Sequence, residues 1–332
     1  MAKLSSITSY KIISKTGMQL TVLNYGATIT ALKVPLHDQK LVDVVLGFNS
    51  PEDYMNSFKY GNAPYFGAVV GRFAGRIRNG CFILNGKHIQ LNQNKGKHHI
   101  HGGHEGLSQK LWKLKTKIEG DEPSLSFVID SPSEQEYYPG QLLVEVTYTL
   151  TTQNELKVEY KANATEDTLL NLTQHTYFNL DGHDADVTHQ KLKINSEQVL
   201  ETDEDTIPTG EIIELKGHRL DFSEYKAVPS QIDDAFILKG QKNLVAQLYS
   251  PHHNLEMQVR TNQPSMQVYV GGEVDSRLSC KENKDYHAKS GICFETQAFP
   301  DAPNHSHFPS ALLRKGETYH QQTLFKFNYK LK

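Results

Sequence analysis

The sequence predicts an all-β protein, built as one large antiparallel β-sandwich, and three observations carry that expectation. Apolar and polar residues alternate in segment after segment, which is the period of a half-buried strand. Turn pairs such as Asn85-Gly86 and Gln153-Asn154 separate these segments. No window of helical length sustains a 3.6-residue period with proper caps.

Taken in order, Met18, Leu20 and Val22 alternate with polar neighbours up to the turn Asn24-Tyr25-Gly26, and residues 27–34 continue extended. Residues 41–48 form a short apolar run, and Ser50-Pro51-Glu52-Asp53 resembles the capped start of one short helix. Residues 81–91 hold two strand-like pieces around Asn85-Gly86. The clearest signal is 141–150, where Leu142, Val144, Val146, Tyr148 and Leu150 share a face; Leu156, Val158, Tyr160 and Ala162 repeat it as the second arm of a hairpin. Leu255, Met257 and Val259, then Met266, Val268 and Val270, and finally Phe325, Phe327, Tyr329 and Leu331 carry the alternation to the end.

Nothing divides the 332 residues: there is no composition break, Ser/Gly linker, low-complexity run or fixed-period repeat, so residues 1–332 are expected to form a single domain. A net charge of −3 offers no basic surface for nucleic acid and no polybasic segment for a membrane. Three cysteines, Cys81, Cys280 and Cys293, suggest neither a disulfide framework nor a zinc knuckle. The N-terminal residues lead into no apolar core of signal-peptide length, and no run approaches the roughly eighteen apolar residues a spanning helix needs. A cytoplasmic protein with a small or neutral partner is expected, as a monomer or weak homodimer.

Four stretches carry candidate chemistry. Residues 292–301 read as a strand running into a proline-stopped loop, with Ile292 and Phe294 on one face and Cys293, Glu295 and Gln297 on the other. If the second face is covered, burial raises the pKa of Glu295 toward the range of a general base; left uncovered, it is an ordinary solvent-facing Glu. Five of the sixteen histidines (His88, His98, His99, His101, His104) crowd one segment that includes the turn Gly102-Gly103. His99, His101 and Glu105 have a His-x-His-x-x-x-Glu spacing resembling cupin metal sites, but Gln93 stands where that motif has its leading glycine and no second histidine motif follows. His175 is expected to share a strand face with Thr173 and Tyr177. Residues 71–80 intersperse small residues with Arg72, Arg76 and Arg78, either as a solvated basic turn or as a fork of donors for hydroxyls or a carboxylate.

Together these stretches resemble the aldose 1-epimerases, or galactose mutarotases, along nearly the whole chain. The resemblance rests on Asn24-Tyr25-Gly26-Ala27, residues 71–80, Leu91-Asn92 with His101-Gly102-Gly103, Trp112, Tyr138-Pro139-Gly140, Asn171 with residues 175–180, Ile232-Asp233-Asp234 and residues 295–304. It implies a β-sandwich of the galactose mutarotase type with a sugar-binding cleft, and interconversion of α and β anomers without cofactor or metal. By motif position Glu295 is the general base at the C1 hydroxyl, His175 the acid at the ring oxygen and His101 its hydrogen-bonding assistant, while Arg76 and Asp233 hold sugar hydroxyls. Gly75 departs from the pattern, since many relatives carry Asn there.

The residues suit that chemistry independently. Opening a hemiacetal needs one proton removed from the anomeric hydroxyl and another given to the ring oxygen, so one carboxylate and one imidazole suffice. Three other readings remain at this point: a sugar-binding protein without turnover, a metal-dependent enzyme using His99, His101 and Glu105, and an epimerase of hexose 6-phosphates using Arg76 and Arg78.

Overall fold

The period-two alternation is expressed as three main antiparallel sheets in the computed structural model, which describes residues 3–61, 63–239 and 243–329. The largest is nine-stranded, in the order Lys113–Ile118, Ser124–Ser131, Leu142–Leu150, Glu155–Ala164, Tyr319–Tyr329, Leu255–Thr261, Asn243–Ser250, Lys191–Ile194 and Lys226–Ala227. A six-stranded sheet runs Tyr177–Phe178, Ile292–Gln297, Ser265–Val270, Ile232–Ile237, Gln198–Thr202 and Pro208–Glu214. A four-stranded meander, Ser9–Ile13, Gln19–Leu23, Thr28–Pro35 and Leu41–Asp43, precedes both.

The expected central hairpin is present, with Leu142 opposite Ala164 and Leu150 opposite Leu156. Leu142, Val144, Val146, Tyr148 and Leu150 are fully buried, and each such side chain contributes on the order of 1.5–3 kcal/mol through burial. The short hairpin Cys81–Leu84 with Lys87–Gln90 turns at Asn85-Gly86, both at positive φ. The helix is Pro51–Ser57, where Ser50 accepts from the Asp53 N–H at 3.2 Å and Pro51 opens the first turn. The final alternation is observed through Tyr329; Leu331 lies outside the described residues.

The two large sheets pack face to face. Phe178 meets Phe325 with ring centroids 4.9 Å apart, the Thr296 and Thr323 hydroxyls are 2.6 Å apart, and the Gln321 amide donates to the Thr296 carbonyl at 2.8 Å. Ile292, Phe294 and Thr296 therefore face the nine-stranded sheet, and Cys293, Glu295 and Gln297 face away from it. A second apolar cluster including Phe73, Ile77, Tyr138, Phe299 and Phe308 underlies the loops on that outer face. Among the described residues no helix is long and apolar enough to cross a membrane, and all three cysteines are free.

Candidate active site

The strand Ile292–Gln297 is flanked on both edges, by Tyr177 opposite Cys293 and by Gln267 opposite Glu295. Pairing on both sides fixes where the Glu295 side chain leaves the sheet. It enters a cavity of about 540 Å³, a size suited to a small molecule, and is itself only 3% exposed. His175 reaches the same cavity from the break between Thr173–Gln174 and Tyr177–Phe178, held by its N–H to the Ala68 carbonyl at 3.0 Å and by the Gly67 N–H to its own carbonyl at 2.9 Å. Gln174 anchors that segment from beneath, with its Oε1 3.0 and 3.2 Å from the hydroxyls of Tyr148 and Tyr160.

The Nε2 of His175 lies 3.6 Å from the Oε1 of Glu295. Its ring stacks between Tyr65 and Tyr177, with centroids at 5.7 and 5.2 Å, and its Nδ1 is 3.6 Å from the Cys293 thiol. The expected shared face is only half present, because Thr173 turns to the Thr296 carbonyl at 3.1 Å. His101 stands at positive φ beside a backbone turn, where its Nδ1 accepts the Gly75 N–H at 3.3 Å. A neutral ring with Nδ1 as acceptor carries its proton on Nε2.

Burial dominates the electrostatics. It pushes the Glu295 carboxyl up to about 8, helped by the negative Asp233 and opposed by Arg76. It pushes the His175 imidazole down to about 4, and the His101 imidazole well below its ordinary value. Between those values the Glu295–His175 pair holds one proton. Arg76 and Asp233 form the polar wall, with Nη2 3.4 Å from Oδ2, while the Gln267 amide donates to the other Asp233 oxygen at 2.7 Å.

Glu295, His175, His101, Arg76 and Asp233, on five segments distant in the chain, thus line one cavity. The three arginines of residues 71–80 part company. Arg72 is buried and donates to Ser131 and to the carbonyls of Pro132, Pro139 and Gly140, whereas Arg78 pairs with Asp203 at 2.8 Å and Asp301 at 3.8 Å. Only Arg76 of the three lines the cavity. The cupin-like set is not assembled either. His99 is buried between the Asn92 carbonyl and the Tyr138 hydroxyl, each at 2.7 Å, and Glu105 is an exposed partner of Lys110 at 2.6 Å. A different trio, His101, His175 and Glu295, has ligand atoms within 4.8 Å of one another and is the set in this cavity that a cation would find.

Sequence reasoning passed over Gln267 and Tyr269, although the alternation that buries Met266, Val268 and Val270 already places them on the other face. Tyr65 gave no such signal: it sits in a loop at positive φ.

Residues 8–326 match the family model described as Aldose 1-epimerase. The chain belongs to the aldose 1-epimerase family. It is 38% identical over 322 residues to the galactose mutarotases of Bos taurus and Homo sapiens, covering 94% of this chain and 91% of each relative. It is 30% identical over 328 residues to the aldose 1-epimerase of Escherichia coli K12, covering 94% of this chain and 92% of the relative. Among solved structures, the GalM/aldose epimerase homologue of C. elegans superposes with a TM-score of 0.89 at 29% identity, covering 97% of this chain and 99% of that one. The galactose 1-epimerase of Lactobacillus acidophilus gives 0.82 at 27% identity, with coverages of 97% and 98%.

Asn171 and Asp301, two of the residues that carry the resemblance, lie outside the cavity. The Asn171 side chain donates to the Ala74 carbonyl at 2.9 Å and accepts the Ala298 N–H at 2.7 Å, and Asp301 exchanges bonds of 2.8 Å with the backbone of Arg76 and Arg78. These two polar side chains fasten the loop carrying Arg76 to the strand end beyond Glu295.

Proposed function

We propose that the protein is an aldose 1-epimerase that interconverts the α and β anomers of hexoses such as galactose and glucose. The observation that carries this reading is the buried pair of Glu295 and His175, 3.6 Å apart in a sugar-sized cavity and holding one proton between them. In the reactive arrangement that proton is on His175 and Glu295 is the carboxylate. Glu295 takes the proton of the C1 hydroxyl as the bond from C1 to the ring oxygen breaks, and His175 delivers its proton to that oxygen. The open-chain aldehyde rotates about the C1–C2 bond, and the same two groups act in reverse to close the ring. Each transfer contributes on the order of 10²- to 10⁴-fold. The Nε2–H of His101 supports the ring oxygen by hydrogen bonding, and Arg76 and Asp233 hold hydroxyls.

The retention of both Glu295 and His175 argues against a sugar-binding protein without turnover. The commitment of Arg78 to Asp203 and Asp301 leaves a hexose 6-phosphate without the second guanidinium that reading called for. Three free cysteines suit the cytoplasm. Polarimetry of freshly dissolved α-D-galactose and α-D-glucose tests the reading. The expected result is a faster approach to the same final rotation; an unaltered rate with both sugars overturns it.

A further inference from the structure

Gln297 lies two residues beyond Glu295 on the same strand and the same outward face. It lines the cavity, yet is only 1% exposed, and neither its Nε2 nor its Oε1 has a hydrogen-bond partner among the described residues. Leaving a buried amide group unpaired costs about 1–3 kcal/mol, so natural interiors rarely do it without a use. Its polar neighbours are already engaged: Asn171 with Ala74 and Ala298, Gln267 with Asp233, and the Gly75 N–H with His101. Among the described residues that line the cavity, only Gln297 carries a fully buried side-chain donor and acceptor that both lack a partner.

The amide lies against the backbone of Gly75. A Cβ there would stand 3.4 Å from the Gln297 Nε2 and 3.3 Å from the Pro300 Cβ, so a larger residue 75 would press on both. Two residues of strand separate Glu295 from Gln297 by about 7 Å. With the anomeric hydroxyl at Glu295, that separation brings the far side of a pyranose ring to Gln297.

We propose that Gln297 is a substrate-binding residue, taking one sugar hydroxyl remote from C1, at C3, C4 or C6. The hydroxyl donates to Oε1 and accepts from Nε2–H, so the unused pair of the amide is matched by the donor and acceptor of a single hydroxyl. The role is specificity, and it rests on the epimerase reading. A site built to hydrogen-bond a hydroxyl rejects an analogue lacking it, because the buried amide is then left unpaired.

The experiment compares kcat/KM for galactose with its 3-, 4- and 6-deoxy analogues, in the parent and in Gln297→Met. In the parent, one analogue is expected to be worse by about 10- to 100-fold. In Gln297→Met that ratio collapses toward one, chiefly through a raised KM for the full sugar. A flat deoxy series in the parent overturns the proposal, as does a ratio that persists in the variant. Should Gln297→Met fail to fold, Gln297→Leu makes the same comparison; a ratio that persists there overturns the proposal equally. If the parent turns over none of the sugars, the epimerase reading fails instead, and the same deoxy comparison by calorimetric binding still decides the role of Gln297.

Discussion

The Nε2 of His175 stands 3.6 Å from the Oε1 of Glu295, and burial drives the two groups in opposite directions, the acid up to about 8 and the base down to about 4. Within that window the pair carries one proton; above it the pair has none to give, and below it no site to receive one. The pH dependence of kcat/KM is therefore expected to be bell-shaped, with limbs near 4 and 8 that belong to the pair rather than to either residue. Initial mutarotation rates between pH 3.5 and 9.5 check it. A profile flat through pH 8 removes Glu295 from the reaction.

Glu295→Gln is expected to lower kcat by at least 10²-fold while sugar binding, followed by calorimetry, persists. Its stability carries a second signature. The carboxyl ionises near 4.5 in the unfolded chain and near 8 in the folded one, so between those values the native state holds the extra proton. The contribution of Glu295 to stability is present below 4.5 and is lost as pH rises through 8. Thermal melts should show Glu295→Gln gaining on the parent from pH 4.5 to about 8, by on the order of a few kcal/mol, and levelling off above.

Arg72, Arg76 and Arg78 lie within seven residues and should respond differently to replacement. Arg76→Ala is expected to raise KM with little loss of stability. Arg72→Met leaves the carbonyls of Pro132 and Gly140 without their donor and is expected to cost about 3–5 kcal/mol in denaturant melts. Arg78→Ala frees a loop tied to Asp203 and Asp301, with about 1 kcal/mol lost and KM changed less than in Arg76→Ala.

EDTA is expected to leave turnover unchanged, because the proposed steps are proton transfers by two side chains. His99→Phe is expected to lower stability by about 2–3 kcal/mol through loss of its bonds to Asn92 and Tyr138, without making the rate chelator-sensitive. Chelator-sensitive turnover in the parent would point to a cation at His101, His175 and Glu295.

The sheets were legible in the sequence because one side of each strand is buried, which writes period two into the residues; the hairpin from Leu142 to Ala164 is the clearest case. The face of Glu295 was legible for the same reason. The fates of the clustered residues were not. His99 and His101 are two apart, but the chain turns to positive φ at His101, so one imidazole meets Tyr138 and the other the cavity. Arg72, Arg76 and Arg78 share a composition and differ only in what the rest of the fold brings to them: carbonyls, a cavity and two carboxylates. Tyr65, stacked on His175, comes from an irregular loop whose path no local pattern records.

The double pairing of the strand Ile292–Gln297 has one more consequence. A slip of one residue against Ser265–Val270 would turn Glu295 toward the neighbouring sheet and deliver Phe294 or Thr296 to the cavity, with nothing intermediate between the two arrangements. A chain slipped in this way lacks its carboxylate in the cavity. Such a chain would keep its strands and lose its turnover, so activity and β-content measured on one refolded sample would part company.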